Sequence, residues 1–449
     1  MPYKSVLIVS PHFPPINAPD HQRVRMALSY FREFGWEAVV LAVDPEFSEN
    51  SRDESLQATI PNYAEVHRVR ALPVSITRRV GVGNIALRSL PYLRSKGNEL
   101  LSSRSFDLVF FSTSMFPVMS LGPVWRKRFR VPYIIDFQDP WLTDYYKGSA
   151  LRPPGGKTKY AFSNMLGRAL EPRVVREAAH IVAVSPSYPA QLRARYPELN
   201  AKDFTVLPFA ASERDFEFAK ALEISHDVFT RNDGFTHWVY AGVTGVIMEK
   251  SIRSFFTALQ WRLQQEPRLK SKLRIHFVGT DYAHASRARK TVEPIAAEFD
   301  LNGVVDERTE RLPFLTTLKL LTDADALLIF GSDDPSYTAS KIFPYILARK
   351  PLLVIVHKKS SVCDVVRETR AGTLVTFSGD EHESEIALRI DSQWLENQPI
   401  SAKTDWKEFE RYTARSMTAS LCSVFDGIPR CAQMPTQGTE NSTIVISRK

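Results

Sequence analysis

Short apolar runs alternate with helix-like patterns along almost the whole chain, and this alternation constrains the fold more than any other feature. After the first run, Val24, Leu28 and Phe31 repeat at i, i+4 and i+7, as on one face of a helix. We expect Asp20 to cap this helix and Gly35 to end it. The first half contains seven apolar runs that are nearly continuously hydrophobic, as expected of strands covered on both faces: Lys4–Ser10, Ala38–Val43, Val66–Arg70, Asp107–Ser112, Tyr133–Asp136, His180–Val184 and Phe204–Leu207.

The alternation stops in a polar stretch at residues 212–232 and then starts again. Six further runs follow: Thr236–Tyr240, Leu273–Val278, Val304–Asp306, Ala326–Phe330, Leu352–Val356 and Gly372–Phe377. The pattern predicts two successive doubly wound α/β units, residues 1–215 and 216–400, that face each other across a cleft. We expect residues 401–425 to form a helical segment that packs back on the first unit, and residues 426–449 to be a disordered tail.

The charge of the chain is concentrated in its first half. Residues 1–215 contain 28 Lys and Arg against 20 Asp and Glu, a surplus equal to the whole net charge of +8. Such a one-sided distribution favours an anionic partner, namely a membrane surface, a phospholipid-like acceptor or nucleic acid. The alternative is an unevenly charged but merely solvated surface.

The location of the protein is predicted from what its sequence lacks. No apolar run approaches the ~20 residues that span a bilayer. The short run at residues 6–9 is too brief for a secretion signal, and the three cysteines show no disulfide or metal spacing. We therefore expect a cytoplasmic protein.

Two post-strand loops of the first unit carry candidate ligand-binding residues. The proline-rich loop after the first strand contains Asn17, and Arg23 follows at the helix start, where free amides and the helix dipole favour an anion. Asp136 and Asp139 come at the end of a buried strand, where carboxylates could orient or deprotonate a hydroxyl. The alternatives are that Arg23 is an ordinary surface residue, that Asp136 caps a turn and that Asp139 pairs with a neighbouring arginine.

The second unit supplies candidate phosphate-binding residues. Gly242 ends a strand and Lys250 lies near the next helix start. Pro344 belongs in the first turn of a helix, so that helix begins near Lys341 and places this lysine and the adjacent amides at its amino terminus. The alternative for Lys341 is a solvated surface lysine.

Other signals argue against a metal or a bound dinucleotide. The string Asp323-Ala-Asp325 directly precedes a buried strand, so we expect it to cap the preceding helix rather than to bind a metal. The histidines lack metal-ligand spacing, and neither a P-loop nor a Gly-x-Gly-x-x-Gly fingerprint occurs.

The order and spacing of four segments resemble the GT-B glycosyltransferases, in particular their large family 4-like group of retaining enzymes. The resemblance covers residues 4–425. The segments are the opening strand and loop Val6-Leu-Ile-Val-Ser-Pro-His-Phe-Pro-Pro with Arg23, the segment Asp136-Phe-Gln-Asp-Pro-Trp, the strand Ala178-Ala-His-Ile-Val-Ala-Val-Ser, and Ser340-Lys-Ile-Phe-Pro-Tyr-Ile-Leu-Ala-Arg-Lys-Pro.

The resemblance implies a nucleotide-sugar donor held mainly by the second unit and an acceptor held by the first. It assigns the donor to Gly242, Lys250, Ser340, Lys341 and Tyr337. It assigns the acceptor and phosphate loop to Asn17, Arg23, Asp136 and Asp139, with Asp139, Lys250 and Lys341 as the catalytic residues. The two glutamates typical of this group are replaced here by Ser336 and Pro344.

The sequence thus predicts a retaining hexosyl- or related transferase that builds a cell-surface polysaccharide or glycolipid. Its partners would be a nucleotide sugar, a glycan or lipid-linked acceptor and the anionic inner face of a membrane, but not nucleic acid, and it would need neither metal nor cofactor. Two alternatives stay open: a non-catalytic GT-B relative that scaffolds polysaccharide assembly, and an epimerase or hydrolase of nucleotide sugars.

Overall fold

A computed structural model of the chain describes residues 3–142, 156–281, 288–334, 340–396 and 402–429. Among the predictions, Tyr337, Ser336 and nearly all of the tail at 426–449 lie outside the described residues.

The first sheet has seven strands, all parallel, in the order β3-β2-β1-β4-β5-β6-β7. The strands are β1 (Lys4–Val9), β2 (Trp36–Val43), β3 (Glu65–Val69), β4 (Leu108–Ser112), β5 (Tyr133–Phe137), β6 (His180–Ala183) and β7 (Phe204–Val206). Strand order reverses between β1 and β4, so the loops after these two strands flank a crevice of the kind in which such sheets bind ligands.

The second sheet repeats the arrangement with six parallel strands in the order β10-β9-β8-β11-β12-β13. The strands are β8 (Thr236–Ala241), β9 (Leu273–Val278), β10 (Val305–Arg308), β11 (Ala326–Phe330), β12 (Leu352–His357) and β13 (Thr373–Phe377). The corresponding reversal lies between β8 and β11. The prediction of two doubly wound units is therefore confirmed.

Helices cover both faces of each sheet. They are α1 (Gln22–Ala27), α2 (Val74–Thr77), α3 (Ile85–Ser103), α4 (Leu121–Phe129), α5 (Lys157–Glu177), α6 (Ser187–Arg195), α7 (Glu213–Ala221), α8 (Glu249–Gln265), α9 (Pro267–Lys270), α10 (Glu293–Glu298), α11 (Phe314–Asp323), α12 (Ile342–Leu347), α13 (Val362–Thr369), α14 (Glu383–Ile390), α15 (Trp406–Phe409) and α16 (Ala414–Asp426). No helix in these described parts of the chain is long and apolar enough to cross a membrane.

The central strand β1 explains why the strand sequences are almost continuously apolar. Leu7 and Val9 pack into the core on one face of the sheet, whereas Val6 and Ile8 pack into the core on the other. All four side chains are fully buried. At about 25 cal/mol per Å² of apolar surface, burial on both faces outweighs any preference for an alternating pattern.

The C-terminal helix returns to the first sheet, as predicted. The helix α16 begins directly after Thr413, whose hydroxyl caps it by accepting a hydrogen bond from the Ser416 amide. From there α16 runs along the first unit, and the Phe425 ring packs edge-on against Trp36 and Phe110 at 5.2 Å between ring centroids.

Two local predictions are wrong. The helix α1 ends at Ala27, and Gly35 instead ends a separate 3-10 turn, Phe31–Phe34. Asp20 does not cap α1, which begins after His21 without a side-chain cap. Its carboxylate instead accepts from the Thr113 hydroxyl at 2.8 Å and pairs with His12 Nδ1 at 3.1 Å. These contacts tie the loop after β1 to the loop after β4, a long-range role that the local helix pattern does not reveal.

Candidate active site

A cavity of about 310 Å³ lies between the two units, within the size range of ligand sites in proteins. The first unit contributes the end of the loop after β1, the start of α1 and the segment that leads into α7. The second unit contributes the loops after β8, β9 and β10 and the start of α12. Its polar lining includes Asn17, Gln22, Ser212, Asp215, Arg311, Thr317, Ser340 and Lys341, and its apolar lining includes Met26, Phe209, Phe216, Leu312, Phe314, Leu318 and Leu321.

Lys341 is a cation at the polar end of this cavity. It directly precedes α12, its Nζ donates a hydrogen bond to Tyr240 Oη at 2.7 Å, and it lies 4.1 Å above the Tyr240 ring centroid. Loss of solvent, helped by the charge of Arg311, lowers the pKa of Lys341 to about 7. A ligand that brings negative charge would restore full protonation, because a nearby anion favours the charged form.

Gly242 makes room for that ammonium group. The residue has φ +144°, and a Cβ atom built on it would lie 2.2 Å from Lys341 Nζ. Only glycine therefore permits both the backbone turn after β8 and the observed position of the lysine.

Arg311 is a second cation in the cavity, and sequence reasoning missed it. It lies between β10 and α11, and its Cα is 3.4 Å from the position that a Cβ on Gly279 would occupy. The available signal was the general one, a basic residue in a loop that follows a strand of the second sheet.

The start of α12 confirms the predicted position of Lys341, but the helix is too short to contribute much of the positive charge expected there. The helix begins at Ile342, and Pro344 falls in its first turn, as predicted. Ser340 is exposed at the cavity, and Pro344 forms part of its wall. Since α12 has only six residues, the local positive charge comes mainly from Lys341 and Arg311 rather than from the helix dipole.

Lys250 lies outside this group. It is the second residue of α8, and its Nζ donates to the Gly379 carbonyl at 2.7 Å. Its charge is felt by Asp333 and Asp380, and it is not part of the cavity lining described above. Lys250 therefore does not line the cavity that contains Lys341, and its assignment to the donor stays a prediction.

Of the residues predicted for the first unit, Asn17 reaches the cavity. Its Nδ2 donates to the Leu312 carbonyl across the cleft at 3.4 Å. The Arg23 Nε donates to Asp136 Oδ2 at 2.8 Å, and both side chains are fully buried. Arg23 and Asp136 therefore neutralise each other beneath the cleft and present no group to the cavity.

Asp139 lies apart from the cavity and from that buried pair. Its side chain is exposed at the surface. Partial desolvation, together with the negative charge of Asp20, raises the pKa of Asp139 to about 6. Burial raises the pKa of Tyr188, and the charges of Asp139 and of Asp334, which follows β11 in the second unit, raise it further. Asp139 is thus a carboxylate near the cleft that can exchange a proton close to neutral pH.

A buried histidine near the same loops was also missed. Burial opposes the charged form of His12, but the Asp20 carboxylate outweighs that effect and raises the histidine's pKa. His12 is buried outside the cavity lining, and its Nε2 lies 3.3 Å from Asn50 Nδ2. We assign this pair to the rigidity of the loop after β1.

The metal-binding reading of Asp323-Ala-Asp325 also receives no support. Asp325 accepts from the His237 amide at 2.8 Å, and Asp323 pairs with Lys319 on α11. Within the described residues no three His, Cys, Asp or Glu side chains are grouped so that they could hold a metal ion.

Comparison with known protein families finds a match in the first unit. Residues 21–210 match the family model described as "Glycosyl transferase 4-like domain". No curated protein matches the sequence.

Solved structures resemble the chain over nearly its full length. Sucrose-phosphate synthase from Thermosynechococcus elongatus is 14% identical with a TM-score of 0.61, and the match covers 94% of this chain and 98% of that one. The UDP-forming α,α-trehalose-phosphate synthase from Burkholderia xenovorans is 10% identical with a TM-score of 0.61, at 94% and 100% coverage. HepE from Anabaena, solved with UDP-glucose, is 15% identical with a TM-score of 0.53, at 94% and 95% coverage. At these identities the likeness shows the fold, which is that of the GT-B glycosyltransferases.

Proposed function

We propose that this GT-B protein, with a glycosyl transferase 4-like domain at residues 21–210, transfers a sugar from a nucleotide-sugar donor to a glycan or lipid-linked acceptor. The observation that carries the proposal is the placement of Lys341 and Arg311 in one interdomain cavity, at the ends of the strands of the second sheet. Two such cations would hold a nucleoside diphosphate, because its phosphate oxygens carry negative charge and accept hydrogen bonds from Lys and Arg side chains.

Sugar transfer requires the site to stabilise the nucleoside diphosphate as a leaving group. As the bond between the anomeric carbon and the diphosphate oxygen breaks, negative charge grows on the diphosphate, and Lys341 and Arg311 stabilise it from fixed positions. The acceptor oxygen then forms the new bond to the anomeric carbon. Its proton passes to Asp139 or to the leaving phosphate, and Asp139, with its raised pKa, is suited to orient or accept it. We infer that neither metal nor other cofactor takes part in this step.

UDP is the first donor nucleotide to test, because HepE was solved with UDP-glucose and the similar trehalose-phosphate synthase is UDP-forming. We infer retention of anomeric configuration from the family 4-like resemblance. Turnover is measured with UDP-, GDP-, ADP- and dTDP-sugars and a glycan or lipid-linked acceptor, and NMR of the product gives the anomer. Release of nucleoside diphosphate only when acceptor is present supports a transferase. Equal release without acceptor would indicate a hydrolase, and a changed sugar without transfer an epimerase.

The acceptor is proposed to lie at an anionic membrane on the cytoplasmic side. The exposed apolar residues of the basic first unit support this: Ile76, 63% exposed, lies two residues before Arg78, and Met165, 62% exposed, lies on α5 with the exposed Lys159 and Arg168. Each basic residue near an anionic surface is worth roughly 1 kcal/mol.

Vesicle sedimentation tests the membrane proposal. We expect the protein to bind vesicles rich in anionic lipid at low salt and to release at high salt. Substituting Ile76 and Met165 by Asp should abolish binding, whereas Leu388→Asp, at a residue 61% exposed on the second unit, should not. Binding to neutral vesicles alone, or none at all, would contradict the proposal.

A second function is favoured by one specific observation. Pro344 forms part of the cavity wall at a position where the family 4-like resemblance leads us to expect a glutamate, so one polar donor contact is missing. A non-catalytic relative that scaffolds polysaccharide assembly would tolerate this loss. Such a protein would support assembly in cells as the Lys341→Ala variant, whereas a transferase would not.

A further inference from the structure

The loop that carries Arg311 is held by the other unit, through a carboxylate that the proposed chemistry does not use. Asp53 lies between β2 and β3 and is buried. Its Oδ2 accepts a hydrogen bond from the Phe314 amide at 2.6 Å, and Phe314 is the first residue of α11 in the second unit. Its Oδ1 accepts from the Ser55 amide at 3.1 Å.

Asp53 therefore caps two helical turns at once, one in each unit. The Oδ1 contact caps its own turn, Glu54–Thr59. The Oδ2 contact satisfies an amide at the amino terminus of α11 that has no partner within that helix. A carboxylate is also the favoured charge at this end of a helix. The amide that it binds is only three residues beyond Arg311.

Two neighbouring contacts cross the cleft to the same short segment. Asn17 donates to the carbonyl of Leu312. The Arg25 guanidinium lies 4.9 Å from the centroid of the Phe314 ring, while it donates to both carboxylate oxygens of Asp215 at 2.7 and 2.6 Å. The first unit thus touches residues 312 and 314 from three side chains, immediately after the cavity arginine.

We propose that Asp53 is a positioning residue, which fixes Arg311 in the cavity by holding the amino terminus of α11 to the first unit. This inference rests on the proposed function, because it gives Arg311 a diphosphate to bind. Approach of the two units then completes the cation pair: Lys341 contacts Tyr240 within the second unit, whereas Arg311 depends on a contact from the first unit.

The first measurement is amide hydrogen exchange in the full chain. Asp53→Ala should speed exchange of the Phe314 amide, since that amide loses its acceptor. Asp44→Ala is the matched control: Asp44 caps the neighbouring turn Pro45–Phe47 by accepting from the Glu46 amide at 2.9 Å, and none of its described hydrogen bonds reaches the second unit. Unchanged exchange of the Phe314 amide in Asp53→Ala would contradict the proposal that Asp53 holds the start of α11.

The second measurement is a double-mutant cycle on UDP affinity by calorimetry. We expect Asp53→Ala to weaken UDP binding about tenfold in the wild-type background and less than twofold in an Arg311→Gln background, because its effect passes through Arg311. Asp53→Asn, which keeps an acceptor oxygen, should recover part of the loss. An equal loss in both backgrounds would show a general structural effect and overturn the proposal.

The two proposals fail differently. UDP binding that depends on Arg311 but not on Asp53 would overturn the coupling and leave the proposed function standing. If the wild type binds none of UDP, GDP, ADP or dTDP, the proposed function fails and the coupling with it. The exchange rate of the Phe314 amide would still show whether Asp53 holds the start of α11.

Discussion

At the residue scale, Lys341 and Asp139 set opposite limits on the pH range of activity. Lys341 must be protonated to hold a diphosphate, so activity falls as the pH rises through its pKa of about 7. Asp139 must be ionised to accept a proton, so activity falls as the pH drops through about 6. We therefore expect a narrow, bell-shaped profile of kcat/KM, which reports the pKa values of the free enzyme.

Two variants separate these limits in the same assay. Lys341→Arg should move the alkaline limb upward, because arginine stays protonated throughout this range. Asp139→Asn should remove the acid limb and lower kcat/KM by about 10²–10⁴. A wild-type profile that is flat between pH 5 and 9 would show that neither group titrates in the rate-determining chemistry.

The buried pair of Arg23 and Asp136 predicts a stability effect. Asp136→Ala leaves a guanidinium buried without its counter-charge, which costs about 3–5 kcal/mol in the free energy of unfolding. Replacing both residues, as Arg23→Met with Asp136→Ala, should recover much of this loss. Urea denaturation measures both, and Glu37→Ala, which breaks the exposed pair with Arg32, should cost at most about 1 kcal/mol. An Asp136→Ala cost as small as that of Glu37→Ala would contradict the assignment.

The same pair shows what sequence alone cannot decide. Both residues lie close to the carboxyl end of a strand, Arg23 in α1 and Asp136 in β5, and both are of types that bind ligands, which made them candidates. They are 113 positions apart, and the contact that neutralises them depends on the order of the strands. Conversely, Arg311 and Asp53 lie in irregular segments whose importance appears only when the two units meet.

At the scale of elements, the loop after β8 offers a matched pair of glycines. Gly242 and Gly245 both have large positive φ, at +144° and +151°, so alanine strains the backbone at either position. Only at position 242 does a Cβ also collide with Lys341 Nζ, whereas nothing lies within 4 Å at position 245. Gly242→Ala should therefore weaken UDP binding at least tenfold more than Gly245→Ala does. The two variants should lose a similar amount in Tm.

Calorimetry and thermal denaturation of the two variants make this comparison. Equal UDP affinities for the two would mean that the ammonium position seen here is not needed for binding. A larger Tm loss for Gly245→Ala would contradict the premise that both positions carry comparable backbone strain.

Elements were the most predictable level of the structure. The central strands of both sheets follow from near-continuous apolar runs, because burial on both faces demands them, whereas the edge strands β3 and β10 are polar in part and only partly buried. The start of α12 follows from Pro344, since proline is favoured in the first turn of a helix and destabilises a helix interior. That α1 lacks a side-chain cap was not predictable, because Asp20 is engaged by His12 and Thr113 in the loops after β1 and β4.

At the scale of the whole molecule, α16 ties the end of the chain to the first sheet. Phe425 is buried against Phe31, Trp36 and Phe110. Phe425→Ala should lower the free energy of unfolding by about 3–5 kcal/mol, through lost burial and the cavity that it leaves. Leu388→Ala, on the exposed face of α14, should change it by no more than about 0.5 kcal/mol. Chemical denaturation that shows equal effects would contradict the packing of α16.

The central claim is that the cleft between the two units binds a nucleoside diphosphate through Lys341 and Arg311. Calorimetric titration of UDP into the wild type, Lys341→Ala, Arg311→Gln and Lys319→Ala tests it most directly, with GDP, ADP and dTDP as further ligands. Lys319 lies on α11 beside the cavity but pairs with Asp323, so it serves as the control. We expect one saturable UDP site in the wild type and in Lys319→Ala. The affinity for UDP should be at least tenfold weaker in Lys341→Ala and in Arg311→Gln. Equal affinity of Lys341→Ala and the wild type, or no binding of any of the four nucleotides, would contradict it.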